Sequence, residues 1–139
     1  MATFNKFNSF VEAAFEKTHN LGADTLKVLL TNSAPTASNS VKANLTEISA
    51  GNGYTAGGAT PSISSSAQSS GTYKLVLADV TWTASGGSIG PFRYAVLYND
   101  TAASDELIGW WDYGSSVTLA SGESFTWDAD PTNGIIQCT

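Results

Sequence analysis

Few side chains in this sequence could trade protons, hold a metal or attack carbon. The single histidine is His19. A serine hydrolase sets its nucleophile on a strained strand-to-helix turn; Gly86-Gly87-Ser88-Ile89-Gly90 has the Gly-x-Ser-x-Gly spacing, but it lies between two expected strands with no helix after it, so it nominates no nucleophile. His19 falls just past a run of helical periodicity, where an imidazole reads as ordinary exposed surface. The common zinc spacings, His-x-x-x-His and Cys-x-x-Cys, are absent. The single cysteine, Cys138, leaves no partner for an intrachain disulfide. Carboxylates gather at Asp128-Ala129-Asp130 and at Asp100, Asp105 and Glu106. Calcium wants roughly six to eight oxygens, often from a loop with acids at alternate positions, and neither cluster has that pattern. Asp128 and Asp130 beside Pro131 read instead as a strand end with turn residues. A glycosidase would need two carboxylates at a set separation, which sequence does not display; Asp112 and Asp128 would be the residues to test. Gly51-Asn52-Gly53-Tyr54-Thr55-Ala56-Gly57-Gly58 comes near a dinucleotide fingerprint. Its third glycine falls one position late and no strand–helix unit flanks it, so these glycines read as freedom for a surface loop. The sequence nominates no cofactor, no metal and no catalytic residue.

Sticking, in contrast to bond making, is well provided for. Trp110-Trp111-Asp112-Tyr113 is denser in aromatics than a core strand requires. Adjacent tryptophans on a strand point to opposite faces, so one fills the core and the other lies outward or beneath a loop. Three readings fit: core with cover, contact with a protein partner, or a carbohydrate platform. Trp110, Trp111 and Tyr113, with Tyr54 as the aromatic anchor of the glycine-rich segment, are the candidate partner contacts. Arg93 lies inside an aromatic strand and predicts an ion pair at the core edge with Asp112 or Asp79.

The elements that position these residues follow from periodicity. Phe7, Phe10, Val11, Ala14 and Phe15 fall on one helical face, predicting a helix over about residues 5–18 stopped by Asn20-Leu21-Gly22. That face needs a surface to bury against, the protein's own sheet or a neighbouring subunit. Thr25–Thr31 alternates as a strand. Val41–Ile48 is ambiguous between a short helix and a loop. Residues 50–71 are nearly all small or polar and predict an extended arm or surface loop with an edge strand at Ser62–Ser66. The second half alternates with period two at Tyr73–Leu77, Val80–Thr83 and Phe92–Tyr98. Further strands follow at Leu107–Asp112, Ser116–Leu119, Ser124–Trp127 and Ile135–Gln137. Turn signals separate them, among them Ala84-Ser85-Gly86-Gly87 and Tyr113-Gly114. Strands repeating every roughly 8–12 residues predict one mainly β domain over residues 1–139. Its expected form is an antiparallel β-sandwich, jelly-roll-like, with one N-terminal α-helix.

Composition narrows the partners. The 139 residues include 18 Ser, 16 Thr and 13 Gly, and charged residues make up only 13%. Six basic residues face twelve acidic ones. Residues 71–139 hold two of the basic residues and eight of the acidic, which accounts for the whole net charge of −6. Binding to a phosphate backbone takes clustered Lys and Arg, so neither nucleic acid nor an anionic membrane surface is an expected partner. No stretch reads as a secretory signal or a bilayer-spanning helix.

Several of these runs carry a resemblance. Gly53–Gly58, Val80–Asp100 and Leu107–Gly114, with the opening "MATFNKFNSFVEAAFEK" and "DTLKVLLTNSAP", are together similar to a family of small tailed-bacteriophage virion proteins. The resemblance spans nearly the whole chain and rests on structural motifs, with no catalytic signature among them. It implies a non-enzymatic particle component, most like a cement or decoration protein on the outside of a capsid shell. The implied partners are the major capsid protein and further copies of the chain, as a dimer or trimer. A tail or head-fibre module that binds host-surface glycan is the alternative.

Overall fold

The computed structural model describes residues 2–139. The chain forms β1 (Phe4–Lys6), α1 (Ser9–Phe15), β2 (Leu26–Thr31), β3 (Ile63–Ser69), β4 (Thr72–Leu77) and β5 (Val80–Thr83). β6 (Ile89–Asn99), β7 (Leu107–Leu119), β8 (Ser124–Trp127) and β9 (Ile136–Cys138) follow. Every strand pairing is antiparallel. The sheets run β1-β7-β6-β2, β3-β4-β9 and β5-β8. The protein is therefore mainly β with one short α-helix, in a sandwich-like arrangement.

Alternation explains which faces are buried. Leu26, Val28 and Leu30 of β2 join Ala95 and Leu97 of β6 in the larger core, which also takes Leu75, Leu77, Trp82 and Trp127 from the facing strands. The intervening residues Leu29, Val96 and Tyr98 point the other way. They form a second cluster with Phe7 and Leu107, against which Leu45 and Trp110 pack. The four-stranded sheet is thus buried on both faces over β2 and the Ala95–Tyr98 part of β6, which read as nearly continuous apolar runs.

The helix is shorter than its periodicity predicts. Phe4–Lys6 pairs with β7 in register with Trp111, Trp110 and Gly109, so strand pairing claims residues that also fit a helical stripe. Gly109 permits that approach, because a Cβ there would overlap the ring of Phe4. Lys17, at φ +70°, breaks the chain direction earlier than the expected stop. The stripe divides accordingly: Phe7 and Phe10 are buried, while Val11 and Phe15 stay exposed.

The glycine-rich segment also departs from expectation. Residues 51–59 are not a free arm. Gly51 bridges Tyr54, and Ala59 bridges Val28 of β2. Gly58 sits so close to the Val28 carbonyl that a Cβ would overlap its oxygen. The edge strand lies where expected but extends further, as β3. Val41–Ile48 yields only a 3-10 turn at Lys42–Asn44. The expected turn at Tyr113-Gly114 is absent because β7 runs through it, with Gly114 at φ +99°.

Candidate functional site

The paired tryptophans do what a strand dictates. Trp110 turns to the smaller cluster and packs on Phe7 with ring centroids 4.6 Å apart. Trp111 turns to the larger core, 5.2 Å from Phe4 and edge-on to Trp127 at 5.1 Å. Both are half-buried. Tyr113, two residues on, shares the Trp111 face and is 57% exposed, with its ring edge-on to Phe125 at 5.4 Å. Phe125 in turn meets Phe92 edge-on at 4.9 Å. Such tilted and edge-on pairs are the arrangement that aromatic quadrupoles favour.

These rings surround an opening on one side of the sandwich, between β6–β7 and β8. Trp111, Tyr113, Phe125 and Trp127 form its walls, and Leu30, Phe92 and Ala95 also line it. Its volume is about 170 Å³. That is below the roughly 300–1,000 Å³ typical of small-molecule sites, and matches one inserted side chain better than a drug-sized ligand. β8 pairs with β5 alone, so its other edge is unclaimed by any sheet among the described residues. The slot therefore combines an apolar interior with an available strand edge.

Tyr54 takes no part in this surface. It is 2% exposed, and its hydroxyl donates to Glu47 Oε1 at 2.6 Å while accepting from Leu30 N at 3.1 Å. As a partner contact it is corrected by its burial: no ring face or hydroxyl is left to offer. Burial, then the Glu47 hydrogen bond, pushes its hydroxyl well above the usual phenol range. Tyr98 is raised as well, chiefly by burial.

His19 is also corrected. It is 6% exposed and stacks on Phe10 at 5.5 Å. Its Nδ1 lies 2.9 Å from Asn99 Nδ2. Asn99 Oδ1 already accepts from Thr101 N and Ala102 N, which fixes the amide orientation. His19 Nδ1 must then accept, and its proton sits on Nε2. Nε2 is buried with no hydrogen-bond partner among the described residues. Burial pushes the His19 pKa below its usual value, against the pull of Glu106 and Asp24.

Arg93, Asp112, Asp79 and Asp130 are committed to the fold. Arg93 forks onto Asp112 at 2.8 and 3.0 Å, as expected of one of its two candidate partners. Each of the pair remains more than a third exposed. The Arg93 hydrogen bond, then one from Gly114 N, lowers the Asp112 pKa. Asp79, the other candidate, accepts from Ala129 N. Asp130 closes the following turn by accepting from Thr132 N and Asn133 N at 2.8 Å each. The Asn133 backbone bond is the largest cause of its lowered pKa. Asp128 lines the slot, whereas Asp112 is not among its lining residues and is held by Arg93. The two carboxylates do not line the slot together. Among the described residues no three His, Cys, Asp or Glu side chains converge as metal ligands. No helix of the described residues is long and apolar enough to cross a membrane.

No family model, no curated protein and no solved structure matches the chain. The site is therefore argued from its own residues. Sequence reading missed Phe125 and Trp127 as slot residues. Their signal was present in the period-two spacing of two aromatics on a four-residue strand, but what faces them follows only from sheet packing.

Proposed function

We propose that the chain is a non-enzymatic structural protein of a tailed-bacteriophage particle, a cement protein on the outer surface of the capsid shell. It binds the major capsid protein across capsomer junctions and acts as a homo-oligomer. On this reading it is made in the bacterial host cytoplasm and resides in the virion.

The observation that carries the reading is the aromatic slot. Its size suits one apolar or aromatic side chain projected by a partner, and exposed Tyr113 stands beside it. Anchors of that kind, seated in desolvated pockets, dominate protein–protein affinity. The unclaimed edge of β8 adds main-chain hydrogen bonding to an extended segment, a common mode of peptide recognition. Repetition over a symmetric shell multiplies a modest contact into firm attachment.

Two further points support it. The resemblance runs through two of the three strands that build the slot, β6 and β7, over Val80–Asp100 and Leu107–Gly114. The polar groups nearest to chemistry, His19, Glu47, Arg93, Asp112 and Asp130, are held in hydrogen bonds that shape the fold. The docked segment 51–59 removes one expected support, since it is already ordered on β2 and is not an arm waiting for a partner.

Quantitative mass spectrometry of purified particles tests the proposal. A cement protein is found in a fixed ratio to the major capsid protein. Its absence, or a handful of copies per particle, overturns the reading.

A further inference from the structure

Two of the three large apolar side chains exposed among the described residues lie together on α1. Phe15 is 81% exposed and Val11 42%. Scattered exposed apolar residues are ordinary, but a contiguous patch marks an interaction surface. Here both residues line a groove of about 570 Å³ with Phe10, Leu21, Tyr73 and Ile136. The groove also takes in residues of β1 and β9, each the last strand of its sheet.

Charge says what kind of partner fits. Lys6, Glu12, Glu16 and Lys17 surround the apolar strip and are all exposed. None of the four forms an ion pair within the described chain. A partner of a single sign would meet like charge on half of this rim. The surface carries an apolar ridge, an apolar groove and both signs of charge side by side. A two-fold axis requires such self-complementarity, because the same patch serves both subunits.

We propose that this face binds a second copy of the chain about a two-fold axis, with Phe15 of each copy seated in the groove of the other. The oppositely charged rims then align Lys6 and Lys17 of one copy with the glutamates of the other. The inference deepens the homo-oligomer part of the proposed function and does not rest on its shell-binding part: a dimer is measured on the purified chain with no particle present, so a failed dimer and a failed shell contact are told apart.

Sedimentation velocity on the full chain, from about 1 to 100 µM, reads the association in a range typical of modest interfaces. The expected result is a monomer–dimer equilibrium that Phe15→Ser weakens by about tenfold or more, as loss of a central anchor does. Lys6→Glu weakens it as well, and adding Glu12→Lys to that variant restores part of the loss, because the two rims exchange roles. Tyr113→Ser, on the slot face, leaves it unchanged. If Phe15→Ser fails to fold, by circular dichroism, Val11→Ser and the charge pair decide. A chain that stays monomeric throughout overturns the proposal, as does a trimer. So does a dimer indifferent to Phe15 or Val11 and to Lys6, including the case in which this face serves a different protein.

Discussion

Tyr54 Oη and Glu47 Oε1 lie 2.6 Å apart, and the same carboxylate oxygen accepts from Gly57 N at 2.6 Å. One half-buried acid thus clasps both the side chain and the backbone of the glycine-rich segment. Through Leu30 N, which donates to Tyr54 Oη, the clasp is tied to β2. A stretch whose composition suggests a mobile arm is held as a lid on the sheet.

Tyr54→Phe keeps the ring and removes the clasp. It leaves Leu30 N without its acceptor and Glu47 short of a donor, which costs about 1–3 kcal/mol. Urea denaturation reads the loss at neutral pH. Because the folded-state pKa of Tyr54 is raised from 10.0, its contribution is full below about pH 10 and falls as pH rises further. The variant lacks that alkaline decline; a wild-type curve that parallels it would mean that the hydroxyl is not engaged.

Gly58→Ala and Gly71→Ala separate collision from backbone strain. Both glycines have positive φ, +85° and +84°. A Cβ at Gly58 runs into the Val28 carbonyl, whereas nothing lies within 4 Å of one at Gly71. Gly71→Ala costs about 1–2 kcal/mol of left-handed strain. Gly58→Ala costs clearly more, because the Val28–Ala59 bridge must part. Equal thermal shifts would contradict the docking of segment 51–59.

His19 sets an acid limit on stability. Its folded-state pKa lies below 6.5, so the unfolded chain binds this proton more readily than the folded one. Stability is full above about pH 6.5 and falls as pH drops through that value toward the folded-state pKa. His19→Gln keeps an acceptor for Asn99 and removes the titration. Denaturation midpoints between about pH 5 and 7.5 fall toward acid in the wild type and stay nearly level in the variant over the His19 window. Parallel profiles would show that His19 titrates freely.

The legible parts of this fold are those whose signal is local. Period-two alternation marks β2, β4 and β6, and turn residues bound them. Adjacency alone divides Trp110 from Trp111, and the sequence narrows the partner of Arg93 to Asp112 or Asp79, between which the β6–β7 hairpin decides. The illegible parts depend on partners far along the chain. Phe4-Asn5-Lys6 is too short to display a strand period and is compatible with the helical stripe; β7, over a hundred residues away, decides the contest. His19 is buried by Asn99, eighty positions on. Tyr54 turned inward because Glu47 and Leu30 supply partners that its polar neighbours conceal. Half of the candidate contact set, Trp111 and Tyr113, reaches the slot. Trp110 is covered by Phe7 on the opposite face.

Adding the purified chain back to particles assembled without it tests cement action most directly. The measurement is the shell's thermal disruption temperature together with the bound ratio of chain to major capsid protein. The account predicts saturable binding at a fixed ratio, a higher disruption temperature, and a weaker effect for Tyr113→Ser, a variant that still folds. No binding, or binding that leaves the shell no harder to disrupt, would contradict it.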